Sequence, residues 1–98
     1  MLTLEGECDL VTAPEFEQRL NKALDANEAD VVIDLWGVSF LDSSILQVLL
    51  RGMKRAEREG TGFALIRPND LVWRVFVLTG TSDRFVTYSS LSEALALK

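Results

Sequence analysis

The chain has 98 residues, 48% of them hydrophobic and 26% charged, with a formal net charge of −5; that suits one modest hydrophobic core and excludes a disordered tail. It contains no histidine and a single cysteine, Cys8, which excludes Ser-His-Asp and Cys-His catalysis, histidine- or cysteine-rich metal sites and an internal disulfide. The start of the chain is acidic and no apolar run nears the roughly 18 residues of a spanning helix, so a soluble, cytoplasmic protein is expected. Charge is placed unevenly: residues 1–30 carry eight acids against Arg19 and Lys22. Such a surface repels nucleic acid and anionic membrane and suits a basic protein partner.

Leu2-Thr3-Leu4-Glu5 alternates apolar and polar residues, as a half-solvated strand does. Thr12-Ala13-Pro14-Glu15 reads as a capping box with proline near the helix start. Phe16, Leu20, Ala23 and Leu24 continue at helical spacing and Asn27 closes the stripe, predicting a helix near 13–27. Val31 to Leu35 is a continuous apolar run rich in β-branched residues, the pattern of a buried strand. A loop through Trp36-Gly37 leads to Asp42, which precedes a helix ending near Glu59, before Gly60 and Gly62. Phe63 to Ile66 is a third strand. Asn69 or Asp70 caps a third helix, Leu71 to Leu78, stopped by Gly80. On that helix Leu71, Val72, Val75, Phe76 and Leu78 are expected to serve the core, while Trp73 and Val77 project to the other side. Phe85 to Tyr88 is the last strand, and Ser90 or Ser92 caps a closing helix at Leu91–Leu97. Strands alternating with helices imply an α/β layer.

The helix after Asp42 carries Leu46, Leu49, Leu50 and Met53 on one face, with Arg51, Lys54, Arg55 and Arg58 on the opposite one. A core stripe with a solvated charge stripe accounts for this; a surface for an acidic partner is the other reading. Its N-terminus, Asp42-Ser43-Ser44, sets two hydroxyls where unpaired N–H groups and the positive end of the helix dipole collect. On the helical wheel Ser44 falls on the solvent side near the basic stripe, and Ser43 nearer the buried face. A phosphate there is tolerated by the fold, and its charge acts on whatever docks on that surface. An N-capping role alone is the simpler reading of Asp42 or Ser43. Cys8, between Glu7 and Asp9, is expected to be an unreactive thiol.

Taken in order, Leu4 to Pro14 (with Gly6-Glu7-Cys8-Asp9), Val32 to Leu35, Val38 to Ser44 and Leu78-Thr79-Gly80 resemble the STAS domain of bacterial anti-sigma factor antagonists. The resemblance covers residues 1–98 and implies a single α/β domain, a mixed sheet of about four strands with helices mainly on one face. It implies a non-enzymatic partner switch. The antagonist binds an anti-sigma factor that is a serine kinase, phosphorylation of a serine breaks the complex, and a serine phosphatase restores it. Carried over by position, the phosphoacceptor is Ser44, with Ser43 second; Asp42 flanks it, and Asp9 matches the acidic residue of the neighbouring Gly-x-x-Asp loop. Trp36 stands at a position commonly polar in the family and is read as an interface aromatic, so that Asp9, Thr12, Trp36, Asp42, Ser43 and Ser44 are expected to form the partner surface. No cofactor, metal, nucleic acid or membrane is implied. Ile45 stands where the family usually has glycine, and Met1 leaves little room for the strand that normally precedes the Gly-x-x-Asp segment, so the first edge strand is expected to be short or missing. Other readings are a constitutive interaction module, or the regulatory domain of a larger protein such as an anion transporter. An enzyme built on Asp9 and Asp42 lacks any base–nucleophile spacing.

Overall fold

In the computed structural model, which describes residues 1–26 and 30–96, strands and helices strictly alternate: β1 (Leu2–Cys8), α1 (Ala13–Ala26), β2 (Val31–Leu41), α2 (Ser43–Glu59), β3 (Phe63–Ile66), α3 (Asp70–Leu78), a short 3₁₀ turn (Ser82–Arg84), β4 (Val86–Tyr88) and α4 (Leu91–Ala96). Asn27 and Leu97, expected to close the first and last helices, lie outside the described residues. The four-stranded sheet has the order β1-β2-β3-β4, and every pairing is parallel. The expectation of a mixed sheet is corrected: a chain returns parallel to its previous strand only through a crossover, and a helix fills each connection here. Because the strands advance in one direction across the sheet, right-handed crossovers bring α1, α2 and α3 to the same face. Phe16, Leu20 and Leu24 of α1, Ile45, Leu49 and Met53 of α2, and Val72 and Phe76 of α3 meet Ile33, Leu35 and Leu65 of the sheet in one buried cluster. The expected placement of helices on one face holds.

β2 is longer than the periodicity predicts, running through Trp36-Gly37 to Leu41. Its pairing with β1 contains two irregularities: Thr3 and Glu5 face Asp34 and Gly37, and Gly6 and Glu7 face Val38 and Phe40, so β2 carries an extra residue each time. A bulge lets two residues face one and turns the next side chain. The inward residues of β2 are therefore Leu35, Val38 and Leu41, spaced by three rather than two, and all are buried. They stay in step with Leu4, Gly6 and Cys8 of β1. Gly6 has φ 69°, a left-handed conformation that costs other residues roughly 1 kcal/mol or more. The same bulges push Trp36 and Phe40 outward, and both are exposed.

α3 also departs from expectation. Leu71 and Leu78 are exposed, at 74% and 77%, whereas Trp73 is half-buried, its ring 4.6 Å from that of Phe76 with the Arg67 guanidinium 5.1 Å from its centroid. Nine residues can bury only a narrow stripe, here Val72 and Phe76. Leu71 and Leu78, seven apart, share the outer side, and Val77 is exposed as expected. Among the described residues no helix is long and apolar enough to cross a membrane.

α1 and α2 approach closely at Gly52, where an added Cβ would lie 2.5 Å from Leu20 Cδ2 and 3.3 Å from the Phe63 ring. Leu20 is itself buried in the core. Overpacking costs about 1–3 kcal/mol and the gain in helix propensity returns about 1, so Gly52→Ala should lose about 1 kcal/mol in urea unfolding. A variant as stable as the parent would show that the helices have room to separate.

Candidate functional site

The first turn of α2 needs acceptors for its unpaired backbone N–H groups. Asp42 supplies them from an extended conformation. Its Oδ1 accepts from the N–H of Ser44 at 2.9 Å and of Ile45 at 3.4 Å. Its other oxygen, Oδ2, accepts from the N–H of Leu10 at 3.1 Å, 32 residues away in sequence, and the Asp42 N–H donates to the Cys8 carbonyl at 3.1 Å. One carboxylate thus caps α2 and ties the β1–α1 loop to it.

That loop is closed on itself by Asp9 and Thr12. Asp9 Oδ1 accepts from the N–H groups of Val11 at 3.0 Å and Thr12 at 3.3 Å, an Asx turn. The Thr12 hydroxyl accepts from the Asp9 N–H at 2.9 Å and donates to the Asp9 carbonyl at 3.1 Å. This corrects the capping-box reading: the chain doubles back at Asp9, whose backbone captures the Thr12 hydroxyl. The structure so brings together Asp9, Thr12, Asp42, Ser43 and Ser44, which the sequence separates by up to three dozen positions.

Ser43 is exposed and Ser44 half-buried, the reverse of the helical-wheel ranking. Ser44 sits with Leu10, Pro14, Gln47 and Arg51 along a groove of about 240 Å³ between α1 and α2. A wheel for α2 alone carries no information about the loop that closes over one side of its first turn. Trp36 does not join this group. It lies farther back along β2, 66% exposed, and lines a separate cleft with Asp34, Ile66, Ser89 and Ser90.

Leu10 and Val11 of the β1–α1 loop and Phe40 near the end of β2 are exposed apolar residues, none of which sequence reasoning singled out; Leu10 shares the groove of Ser44. Leu10 and Val11 carried a readable signal: apolar residues inside an Asp-x-x-Thr turn belong to no strand or helix stripe. Phe40 carried none, because its orientation depends on the bulges. Two residues of the basic stripe of α2 pair with acids, while Lys54 and Arg58 are exposed. Arg51 pairs with Glu17 of α1 at 2.7 Å, and Arg55 pairs with Asp25 of α1 and with Glu59. α1 therefore takes up the acidic partner role that the stripe suggested. Around the serines stand the Asp42 cap and, along the groove that Ser44 lines, the Arg51–Glu17 pair.

Cys8 is buried directly beneath. Burial first, then the charges of Asp9 and Asp42, push its thiol above the ordinary 9.0.

A STAS domain model matches residues 1–94 of the chain. The chain belongs to the STAS domain family. Among relatives of this STAS domain, the anti-sigma-F factor antagonist RsfB of Mycobacterium tuberculosis is 30% identical over 95 residues, covering 97% of this chain and 77% of its own. The anti-sigma-B factor antagonist of Staphylococcus aureus is 28% identical over 78 residues, covering 80% and 72%. The crystal structure of an anti-sigma factor antagonist from Mycobacterium paratuberculosis superposes with a TM-score of 0.86 at 33% identity, covering 97% of this STAS domain and 80% of that chain.

Asparagine at position 42 has one acceptor oxygen and cannot serve both the helix cap and Leu10. Asp42→Asn should lower stability by about 1–2 kcal/mol, and amide exchange at Leu10 should rise more than at Ser44; equal protection at both amides would show that the bridge is unimportant. For Cys8 the folded state holds the proton to higher pH than the unfolded chain does, so its contribution is complete below 9 and is lost as pH rises beyond it. At pH 8 a disulfide reagent should modify the folded protein several-fold more slowly than the urea-unfolded chain; comparable rates would contradict a buried, protonated thiol.

Proposed function

We propose that this STAS domain is an anti-sigma factor antagonist, a binding module whose affinity for an anti-sigma factor is set by phosphorylation in the Asp42-Ser43-Ser44 turn. The observation that carries the reading is the exposed Ser43 at the start of α2, next to the Asp42 cap that holds the β1–α1 loop with its outward Leu10 and Val11. The names of its relatives supply the partner class. The anti-sigma factor is a serine kinase and a phosphatase reverses the modification. The apolar residues serve as contacts that lose water on docking, and the serine hydroxyl is presented to the partner's active site.

Exposure favours Ser43 as the acceptor, with Ser44 second, since Ser44 lies partly within the groove. A phosphate on Ser43 adds roughly 1.5 to 2 negative charges at a helix N-terminus, where the dipole offsets its cost to the fold. The new charge sits beside the Asp42 carboxylate and must be desolvated if the partner stays bound, which weakens the complex and leaves the domain folded. A domain that lends a hydroxyl to another protein's catalytic centre needs no base of its own.

The test combines the purified domain, the anti-sigma factor of its host and ATP, with phosphate mapped by mass spectrometry. Incorporation at Ser43 is expected, moving to Ser44 or disappearing in Ser43→Ala. Ser43→Asp should weaken binding at least tenfold, about 1.4 kcal/mol, with an unchanged thermal midpoint. No incorporation at either serine, together with parental affinity in Ser43→Asp and Ser44→Asp, would sink the switch and favour a constitutive interaction module.

A further inference from the structure

We propose that the cleft beside Trp36 is a docking site for a partner protein, which lays an arginine side chain into it and an apolar one next to it. β3 stops at Ile66, the register partner of Asp34, while β2 runs on to Leu41. The sheet therefore has a step at this level. Trp36 stands over it without a β3 ladder partner, 66% exposed. Two adjoining hollows of about 340 Å³ each share Trp36 and Ser89 as a common border. Each has the volume of a small binding pocket, and tryptophan is among the residue types most enriched in binding hot spots.

The first hollow is bordered by acceptors. Asp34 Oδ1 accepts from the Trp36 N–H at 2.9 Å, and its Oδ2 has no partner among the described residues. The Ser89 hydroxyl donates to Glu93, so what it offers a ligand is its lone pairs. Among the described residues Asp34 is the one charged residue bordering this hollow, and Ile66 beside it is apolar and buried. A group that fits is cationic, flat enough to stack on an indole, and able to donate to a carboxylate in its own plane. A guanidinium meets all three conditions. The chain's own Arg67 does not serve: it borders the other hollow, paired with Asp70 at 3.2 Å and set over the Trp73 ring. That pair leaves the second hollow without net charge, and its walls of Trp36 and Pro68 suit an apolar side chain. In an extended chain residues two apart project to the same side about 7 Å from each other, so a leucine two positions from the arginine spans the shared border. The site centres on β2, inside the sheet, and its use does not depend on phosphorylation at Ser43.

The probe is the acetylated, amidated peptide Gly-Leu-Gly-Arg-Gly-Leu-Gly, titrated into the 98-residue protein and followed by amide and indole chemical shifts. Perturbation centred on the Trp36 indole and on the amides of Asp34, Asn69 and Ser89 is expected. Replacing the arginine by citrulline keeps its shape but removes its charge, and should weaken binding at least tenfold. Butylguanidinium, which carries the same group without a peptide chain, should also bind at least tenfold more weakly. Asp34→Asn keeps an acceptor for the Trp36 N–H; checked for an unchanged thermal midpoint, it should lose at least tenfold in affinity, as should Trp36→Leu. Shifts centred elsewhere, equal binding of the citrulline peptide, butylguanidinium binding as tightly as the peptide, absence of binding, or a peptide-free dimer that covers Trp36 would each overturn the proposal. Should either variant not fold, the citrulline and butylguanidinium comparisons on the parent protein decide by themselves.

Discussion

One carboxylate holds the β1–α1 loop and the first turn of α2 in register. Asp42 follows β2, caps α2 and accepts from Leu10 across the top of the sheet. A charged acceptor shared between two backbone donors is among the stronger polar contacts available at a surface. Without it the β1–α1 loop would keep its internal Asx turn but lose its position relative to α2. The consequence is functional as well as structural. Ser43 and Ser44 project from the same turn that Asp42 caps, so the serines are held still by the residue that also gives them a negative neighbour.

The second constraint is the parity of β2. A regular strand of eleven residues would send alternate side chains into the core, and Gly37 and Ser39 would occupy positions that the cluster needs filled by apolar groups. The bulges restore agreement between the inward residues of β1 and β2 and at the same time turn Phe40 outward beside Asp42. Core packing and surface display are solved by one local distortion. The open left-handed turn at Gly6 lies in the same region of the β1 pairing, where the two strands differ in residue count.

Charge is distributed to match. Glu17 and Asp25 of α1 pair with Arg51 and Arg55, which links the two helices through ion pairs. These pairs are largely solvent-exposed, so each adds little to stability.

Much of this architecture is legible in the amino-acid sequence. Asp42 before an apolar helical stripe, Gly60 after Glu59, Asn69 ahead of Leu71 and the β-branched run at residues 31–35 each encode their element through local chemistry, and the elements form where those signals stand. The Asp42-Ser43-Ser44 turn is readable for the same reason: capping involves residues within one turn of each other. What stays hidden depends on contacts between distant segments. A helical wheel places Ser44 toward solvent because it holds no record of Leu10 and Pro14. Leu71 and Leu78 look like core because hydrophobicity does not say how wide a stripe the sheet will cover. The direction of β4 and the bulges of β2 follow from pairing partners, and pairing is a relation between strands that neither strand's sequence contains. Local hydrogen bonding and periodicity determine the identity of the elements; only their tertiary packing decides which serine faces outward and which apolar residues are displayed.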